Sequence, residues 1–234
     1  MLILGLDTTA VSASAAIAEI RDGGLLTYAK FTAKNKMTHS ENLLPMIDHL
    51  LSVYGAKISD VELLAVNAGP GSFTGVRIGV STVKGLAFPK DLPCAAVSTL
   101  ESLARNVGGL AGRVCALMDA RRGQFYYALF ENGVRVTEDD IAGADVIAPM
   151  LSDGTLLVGD GAEVFLKAYA GDKKLILAPE ECRDQSALSV CLCGEAIARA
   201  GKTVSGKDLR PVYLRLPQAE RERLEKLSTE HKGD

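Results

Sequence analysis

The chain has 234 residues, 47% of them hydrophobic and 24% charged, with a formal net charge of −3. This is the balance of an ordinary globular protein, long enough for one large domain or for two lobes that each bury a core. The charge leaves no basic field to hold a nucleic acid unaided, so any role on RNA requires a partner that supplies the binding surface.

Residues 2–6 are an apolar run ending on Asp7. The run is too short for a signal-peptide core, and no stretch of the chain is apolar for long enough to cross a bilayer. The expected location is the cytosol, with no membrane partner. Residues 12–20 and 25–31 read as two more strands around the turn Arg21-Asp22-Gly23-Gly24, which makes an antiparallel meander. Thr38 and Glu41 then have capping-box spacing, and Pro45 is expected in the first turn of the helix they open. Leu43, Ile47, Leu50 and Tyr54 recur along one face of that helix, while Leu44, Met46 and Leu51 widen the stripe, and Gly55 can end it.

Residues 63–66 are a buried strand, 69–73 a glycine loop, and Thr74 the expected cap of a second helix running to Phe88. A strand at 94–97 leads to Ser98 and Glu101, again with capping-box spacing, and a short helix ending near Gly108-Gly109. The plan then restarts. Residues 114–119 repeat an apolar strand ending in aspartate, 124–131 alternate with Phe125, Tyr127 and Leu129 on one face, and 156–161 repeat a strand running into glycines. Two halves on one plan predict a duplicated α/β protein with mixed sheets flanked by helices.

The five cysteines, Cys94, Cys115, Cys182, Cys191 and Cys193, are odd in number and scattered, which argues against a disulfide framework. Cys191 and Cys193 sit in a helical run at 186–200, far in sequence from His39, His49 and His231, and read as buried free thiols. After Leu216 the chain is charged, with opposite charges four apart and little apolar content, and is expected to be a solvated extension.

Two segments invite chemistry. Asp7-Thr8-Thr9 follows the first strand at a hairpin, where hydroxyls and amides can hold a phosphate and an aspartate can organise a metal. The hairpin has no glycine, so a polar turn satisfied internally is the favoured alternative. The loop of Gly69, Pro70, Gly71, Ser72 and Phe73 joins a strand to a helix and can offer amides to an anion, but it lacks the Gly-Lys-Ser/Thr of a Walker loop. Asp7, Thr8, Thr9, Gly71 and Ser72 are therefore a weak nucleotide-binding set. In the helix behind the loop, Gly75 and Gly79 share a face that permits another backbone to approach, and Val76, Val80 and Val83 form a stripe beside it. Both long helices have more apolar surface than one sheet face covers, so either they are buried on two sides or they dock on another protein. No Gly-x-Ser-x-Gly elbow, HExxH motif or singled-out carboxylate pair is present.

The segment GPGSFTGVRIGVSTVKG (69–85), together with Asp7-Thr8-Thr9, residues 39–45, Val97-Ser98-Thr99-Leu100, Met118-Asp119-Ala120-Arg121-Arg122-Gly123-Gln124 and Pro211-Val212-Tyr213-Leu214-Arg215, resembles the TsaB (YeaZ) family, with the motifs in the right order. The resemblance implies an actin-like, ribonuclease H-like two-lobed fold of the ASKHA superfamily, with lobes at 1–103 and 104–216, a last helix packing back on the first lobe, and a tail at 217–234. It implies a part in forming threonylcarbamoyladenosine beside the tRNA anticodon. In that system a TsaD subunit transfers the threonylcarbamoyl group, TsaB supports it, and the ATPase TsaE joins them. TsaD carries His-x-x-x-His on its first long helix; here His39 is followed four residues later by Leu43. Leucine cannot bind a metal, which implies a non-catalytic relative with no metal of its own. The resemblance further implies docking on TsaD, or on a second copy, through Leu43, Leu44, Met46, Ile47, Leu50 and Leu51 of the first helix and Val76, Gly79, Val80 and Val83 of the second. ATP or ADP is expected only in complex with partners, and tRNA only indirectly. The competing readings are an independent ASKHA ATPase or kinase, and a metallopeptidase of the glycoprotease (M22-like) kind.

Overall fold

The structure, a computed structural model, describes residues 1–34, 38–169 and 171–215. The charged tail and His231 lie outside the described residues.

Among the described residues two sheets carry the fold. The first comprises β1 (Leu2–Asp7), β2 (Ala13–Arg21), β3 (Gly24–Ala33), β4 (Leu63–Gly69) and β5 (Cys94–Ser98), in the order β3-β2-β1-β4-β5. The second comprises β6 (Arg113–Asp119), β7 (Gln124–Glu131), β8 (Val134–Arg135), β9 (Asp140–Gly143), β10 (Leu156–Val158) and β11 (Ile176–Leu177). Its order is β11-β10-β6-β7-β8, with β9 also on β7. In each sheet the first strand is antiparallel to the next and parallel to a later one, which is parallel to the last: β1 to β2, β4 and β5, and β6 to β7, β10 and β11. The expected duplication is thus present strand for strand. It extends to the turn after the first strand of each lobe, where an aspartate accepts the N–H two residues on: Thr9 to Asp7 at 2.8 Å and Arg121 to Asp119 at 2.7 Å.

Among the described residues seven α-helices flank the sheets: α1 (His39–Tyr54), α2 (Phe73–Ala87), α3 (Thr99–Asn106), α4 (Ala144–Ile147), α5 (Ala162–Ala168), α6 (Glu180–Arg183) and α7 (Ala187–Arg199). Side chains alternate across β1, so Leu4 and Leu6 face α1 and α2 while Ile3 faces α7. On the second sheet, Val114, Ala116 and Met118 face α3, and Cys115 and Leu117 face α4 and α5. The helix that follows each sheet's last long crossover therefore packs on the other sheet. α3, from the first half, covers the second sheet, and α7, from the second half, covers the first. The two touch, Ser189 Oγ donating to Asn106 Oδ1 at 2.5 Å. A division between residues 103 and 104 falls inside α3, whose apolar side belongs to the second core.

The caps differ from expectation at three points. Pro45 lies in the second turn of α1, counted from the Thr38 cap. Its missing N–H leaves the Glu41 carbonyl without the usual helical donor, and the deep apolar face of the helix outweighs that loss. α2 opens on Ser72 and not Thr74, because the Ser72 hydroxyl is placed to accept the Gly75 N–H at 3.3 Å. At α3, Ser98 accepts from Glu101 N at 3.2 Å, but the Glu101 carboxylate turns to Arg135 at 3.3 Å, so only half a capping box forms.

Candidate functional site

Asp7 at the end of β1 and the first two residues of the β1–β2 connection are closed to solvent, while Val11 at its tip is exposed. Asp7, Thr8 and Thr9 are buried, and Asp7 accepts from Thr9 N and Thr9 Oγ1, each at 2.8 Å, and from Asn67 Nδ2. Asn67 also donates to Ser102 Oγ at 2.8 Å, which ties β1, β4 and α3 together. Burial raises the Asp7 carboxyl above its ordinary range, against the Thr9 and Asn67 hydrogen bonds and nearby His39, which pull it down. Thr8 Oγ1 donates to the Gly75 carbonyl at 2.6 Å. Asp7, Thr8 and Thr9, expected to contribute to a nucleotide site, turn their polar atoms inward, and the Asp7 carboxylate has no surface open to a solvent-borne ligand.

The same contacts explain the glycines of α2. A Cβ on Gly75 would stand 1.9 Å from the Thr8 carbonyl oxygen, and one on Gly79 would stand 2.7 Å from Thr8 Oγ1. The backbone that approaches α2 here is therefore this chain's own hairpin, and Gly79 does not face a partner. The rest of the partner set needs the same correction. Leu43, Ile47, Leu50 and Leu51 of α1, and Val76, Val80 and Val83 of α2, are buried in the first core. Met46 is half-buried, and Leu44 alone of the ten is open, at 57% exposure. Helical periodicity identified the apolar stripes, but a stripe has no sign that tells sheet from partner. The outward surface of the pair is Leu44 and Val53 on α1 with Arg77 and half-buried Phe73 and Ile78 on α2, where Phe73, Thr74, Arg77, Ile78 and Ser81 line a shallow depression.

His39 has no second histidine one turn on along its helix. Its Nε2 contacts the Ala10 carbonyl at 2.8 Å, and Leu43, one turn later, is 1% exposed. No group of three or more metal-binding side chains occurs among the described residues.

Between the lobes lies a cleft of about 420 Å³. Thr9, Gly71 and Ser72 line it from the first lobe and Asp119, Arg121 and Asp160 from the second. Asp160 is open to solvent on one side yet closely surrounded by protein; desolvation, with Asp119 and Asp184 nearby, pushes its carboxyl up to about 6, while Gln185 pulls it down. Arg121 pairs with Asp119 at 3.2 Å. The β6–β7 turn that carries it is strained, with φ of 66° at Arg121 and 56° at Arg122. The segment after α7 forms the remaining wall through Val212, Tyr213, Leu214 and Arg215. Sequence reading used Pro211 to Arg215 only as a family motif; its contacts with Ala68, Phe73 and Ala120 span the whole chain and leave no local periodic signal.

A family profile described as TsaD: tRNA N6-adenosine threonylcarbamoyltransferase matches residues 30–161. The chain is 32% identical over 228 residues to the tRNA threonylcarbamoyladenosine biosynthesis protein TsaB of Escherichia coli (strain K12), covering 92% of this chain and 95% of that protein. It is 38% identical over 131 residues to the protein of the same name in Bacillus subtilis (strain 168), covering 56% of each. Among solved structures it is similar to YeaZ from Pseudomonas aeruginosa, with a TM-score of 0.77 and 27% identity over 91% of this chain and 99% of that one. The profile stops at residue 161, whereas the Escherichia coli relative follows this chain almost throughout.

Proposed function

The chain belongs to the TsaB family of tRNA threonylcarbamoyladenosine biosynthesis proteins, and from that premise we propose that it serves as a non-catalytic subunit that docks on a TsaD-like transferase. It acts in threonylcarbamoyladenosine formation. Its part is to hold the transferase in its working form while that subunit places the threonylcarbamoyl group on the adenosine beside the anticodon.

The observation that carries this reading is the pair His39 and Leu43. The first histidine of the transferase metal motif is held on the Ala10 carbonyl, and the second position is a core leucine. Supporting it, Asp7 is enclosed by the protein's own hydrogen bonds. The docking face is the outer side of α1 and α2, around Leu44, Phe73, Arg77 and Ile78. In the absence of the transferase the same face pairs two copies of the chain. A TsaE-like ATPase joins the complex, nucleotide binds only there, and tRNA is met through the partners. No described helix is long and apolar enough to cross a membrane, in keeping with a cytosolic complex.

Reconstitution tests the proposal. The chain alone should form no threonylcarbamoyladenosine on tRNA, measured by mass spectrometry of digested nucleosides, and should raise the yield when added to the transferase and the ATPase. Leu44→Glu combined with Ile78→Glu should abolish co-purification with the transferase. Unchanged affinity of that double variant would remove the proposed face. Tight binding of ATP and magnesium by the isolated chain in calorimetry would favour an independent ATPase instead.

A further inference from the structure

The chain after α7 runs the length of α2 and then leaves it for the other lobe. Val204 pairs with Cys94 beside β5, and Leu209 is buried in the first core. Lys84 Nζ of α2 donates to the carbonyls of Lys207 and Leu209 at 3.4 and 3.3 Å. Val212 N–H reaches the Ala68 carbonyl at 2.7 Å. Tyr213 stacks on Phe73, with ring centroids 4.6 Å apart, and its hydroxyl accepts from Arg77 Nε at 2.9 Å. Two residues on, Arg215 Nη1 donates to the Ala120 carbonyl, 2.8 Å away in the β6–β7 turn of the second lobe.

Three features set this path apart from an ordinary surface connection. First, the first lobe is shaped to receive it: Gly69 has φ 128°, and a Cβ there would lie 2.2 Å from the Val212 carbonyl oxygen. Second, Tyr213 and Arg215 are separated by one residue, so at most about 7 Å of backbone joins the α2 contact to the second-lobe contact and little slack can absorb a movement. Third, the turn that Arg215 holds is the one with two non-glycine residues at positive φ, a conformation that persists only while its surroundings impose it. The outer end of the path, the Phe73–Arg77–Tyr213 cluster, opens to solvent on α2, with Tyr213 39% exposed. Its inner end stands over the cleft beside Asp119 and Arg121.

We propose that residues 211–215 are a strap that couples the outer face of α2 to the inter-lobe cleft. A protein seated on Phe73 and Arg77 fixes Tyr213, and Tyr213 through Arg215 fixes the β6–β7 turn over the cleft. The identity of the seated protein rests on the docking reading above; the mechanical link from Tyr213 to Ala120 does not. Tyr213 and Arg215 are positioning residues in this arrangement, and neither belongs to a catalytic group.

Backbone hydrogen exchange read by mass spectrometry tests both halves on the full chain. Wild type, Tyr213→Phe, Tyr213→Ala and Arg215→Ala are compared with and without the catalytic transferase subunit. Without the partner, Tyr213→Ala and Arg215→Ala should each speed exchange across residues 119–124 several-fold, while peptides from β1 and β4 stay as slow as in wild type. Tyr213→Phe, which keeps the stack and loses only the Arg77 bond, should give a smaller change in the same peptide. With the partner, residues 73–81 and 119–124 should both be protected in wild type, and only 73–81 in Arg215→Ala. The strap is overturned if the tyrosine variants leave 119–124 unchanged, or if the partner protects 119–124 equally in Arg215→Ala. A partner that leaves 73–81 unprotected refutes the docking reading, and the partner-free comparison still decides the strap.

Discussion

Asp7 and Asn67 meet side chain to side chain at the ends of neighbouring strands, with no surface of either residue open to solvent. A carboxylate there is desolvated, and its proton is held more tightly in the folded chain than in the unfolded one. The folded state then binds more protons than the unfolded state above the ordinary carboxyl range, so stability falls as pH rises through the raised Asp7 value. Exposed Glu41 and Asp60 act with the opposite sign, since hydrogen bonds from Thr38 and Lys57 lower theirs. The contribution of Asp7 is therefore the difference between two proteins. Asp7→Asn, which has no carboxyl to titrate there, should lack this loss and should gain on wild type steadily toward neutral pH in urea titrations. Parallel stability curves for the two proteins across pH 4–8 would refute the buried charge.

Two glycines of α2 should answer alanine with opposite signs. Gly75→Ala drives a methyl to 1.9 Å from the Thr8 carbonyl oxygen, a backbone atom that cannot swing aside, and should cost about 3 kcal/mol of stability. Gly85 is exposed and has nothing within 4 Å of its added carbon. Gly85→Ala should stabilise by about 1 kcal/mol through helix propensity alone. Chemical denaturation of the two variants checks both signs at once.

Leu43 and Leu44 are neighbours with opposite duties. Leu43→Ala empties a site in the first core and should cost about 2–5 kcal/mol. Leu44→Asp should leave stability within about 0.5 kcal/mol and weaken pairing with the transferase. Thermal melts alongside a binding titration separate the effects. A pairing defect in a Leu43 variant carries no information about the surface, because that variant first disturbs the fold.

Pro45 sits where a helix would gain from a donor. Pro45→Ala supplies the N–H that faces the Glu41 carbonyl and should raise stability by about 1–3 kcal/mol, measured by urea unfolding. A neutral or negative result would mean that α1 has bent to suit the proline and that its packing on the sheet depends on the bend.

Strand positions and the duplication were legible because alternation on β1 and β7, and the aspartates at the ends of β1 and β6, are local patterns that a chain displays in order. The helix ends were legible where the cap is local: the Glu41 carboxylate accepts the Thr38 N–H, and Gly55 turns its own N–H back onto the last carbonyls from a left-handed conformation. The direction of each helix face was not. Val80 reads the same whether it meets the first core or another protein, and only the sheet behind it decides. Gly75 and Gly79 announced a close approach correctly, but the partner was Thr8, 67 and 71 positions back in the chain. Asp7 was ambiguous for a related reason: its burial depends on Asn67 and on α3 beyond it, and no window around residue 7 contains them.

The exchange of α3 and α7 between the sheets has a consequence for how the protein is made on the ribosome. The apolar side of the first sheet that bears Ile3, Ile20 and Leu63 is sealed by Val190 and Cys191, which are synthesised long after β5 is finished. At roughly 5–20 residues per second that interval is on the order of 10 s. Throughout it the first sheet stands half-clothed, whereas α3 meets its sheet as β6 to β11 emerge within the same interval. The second core, which uses no residue of α7, can pack first, but the first sheet must be shielded until α7 has emerged, and a fragment ending near residue 104 should aggregate instead of folding as a lobe.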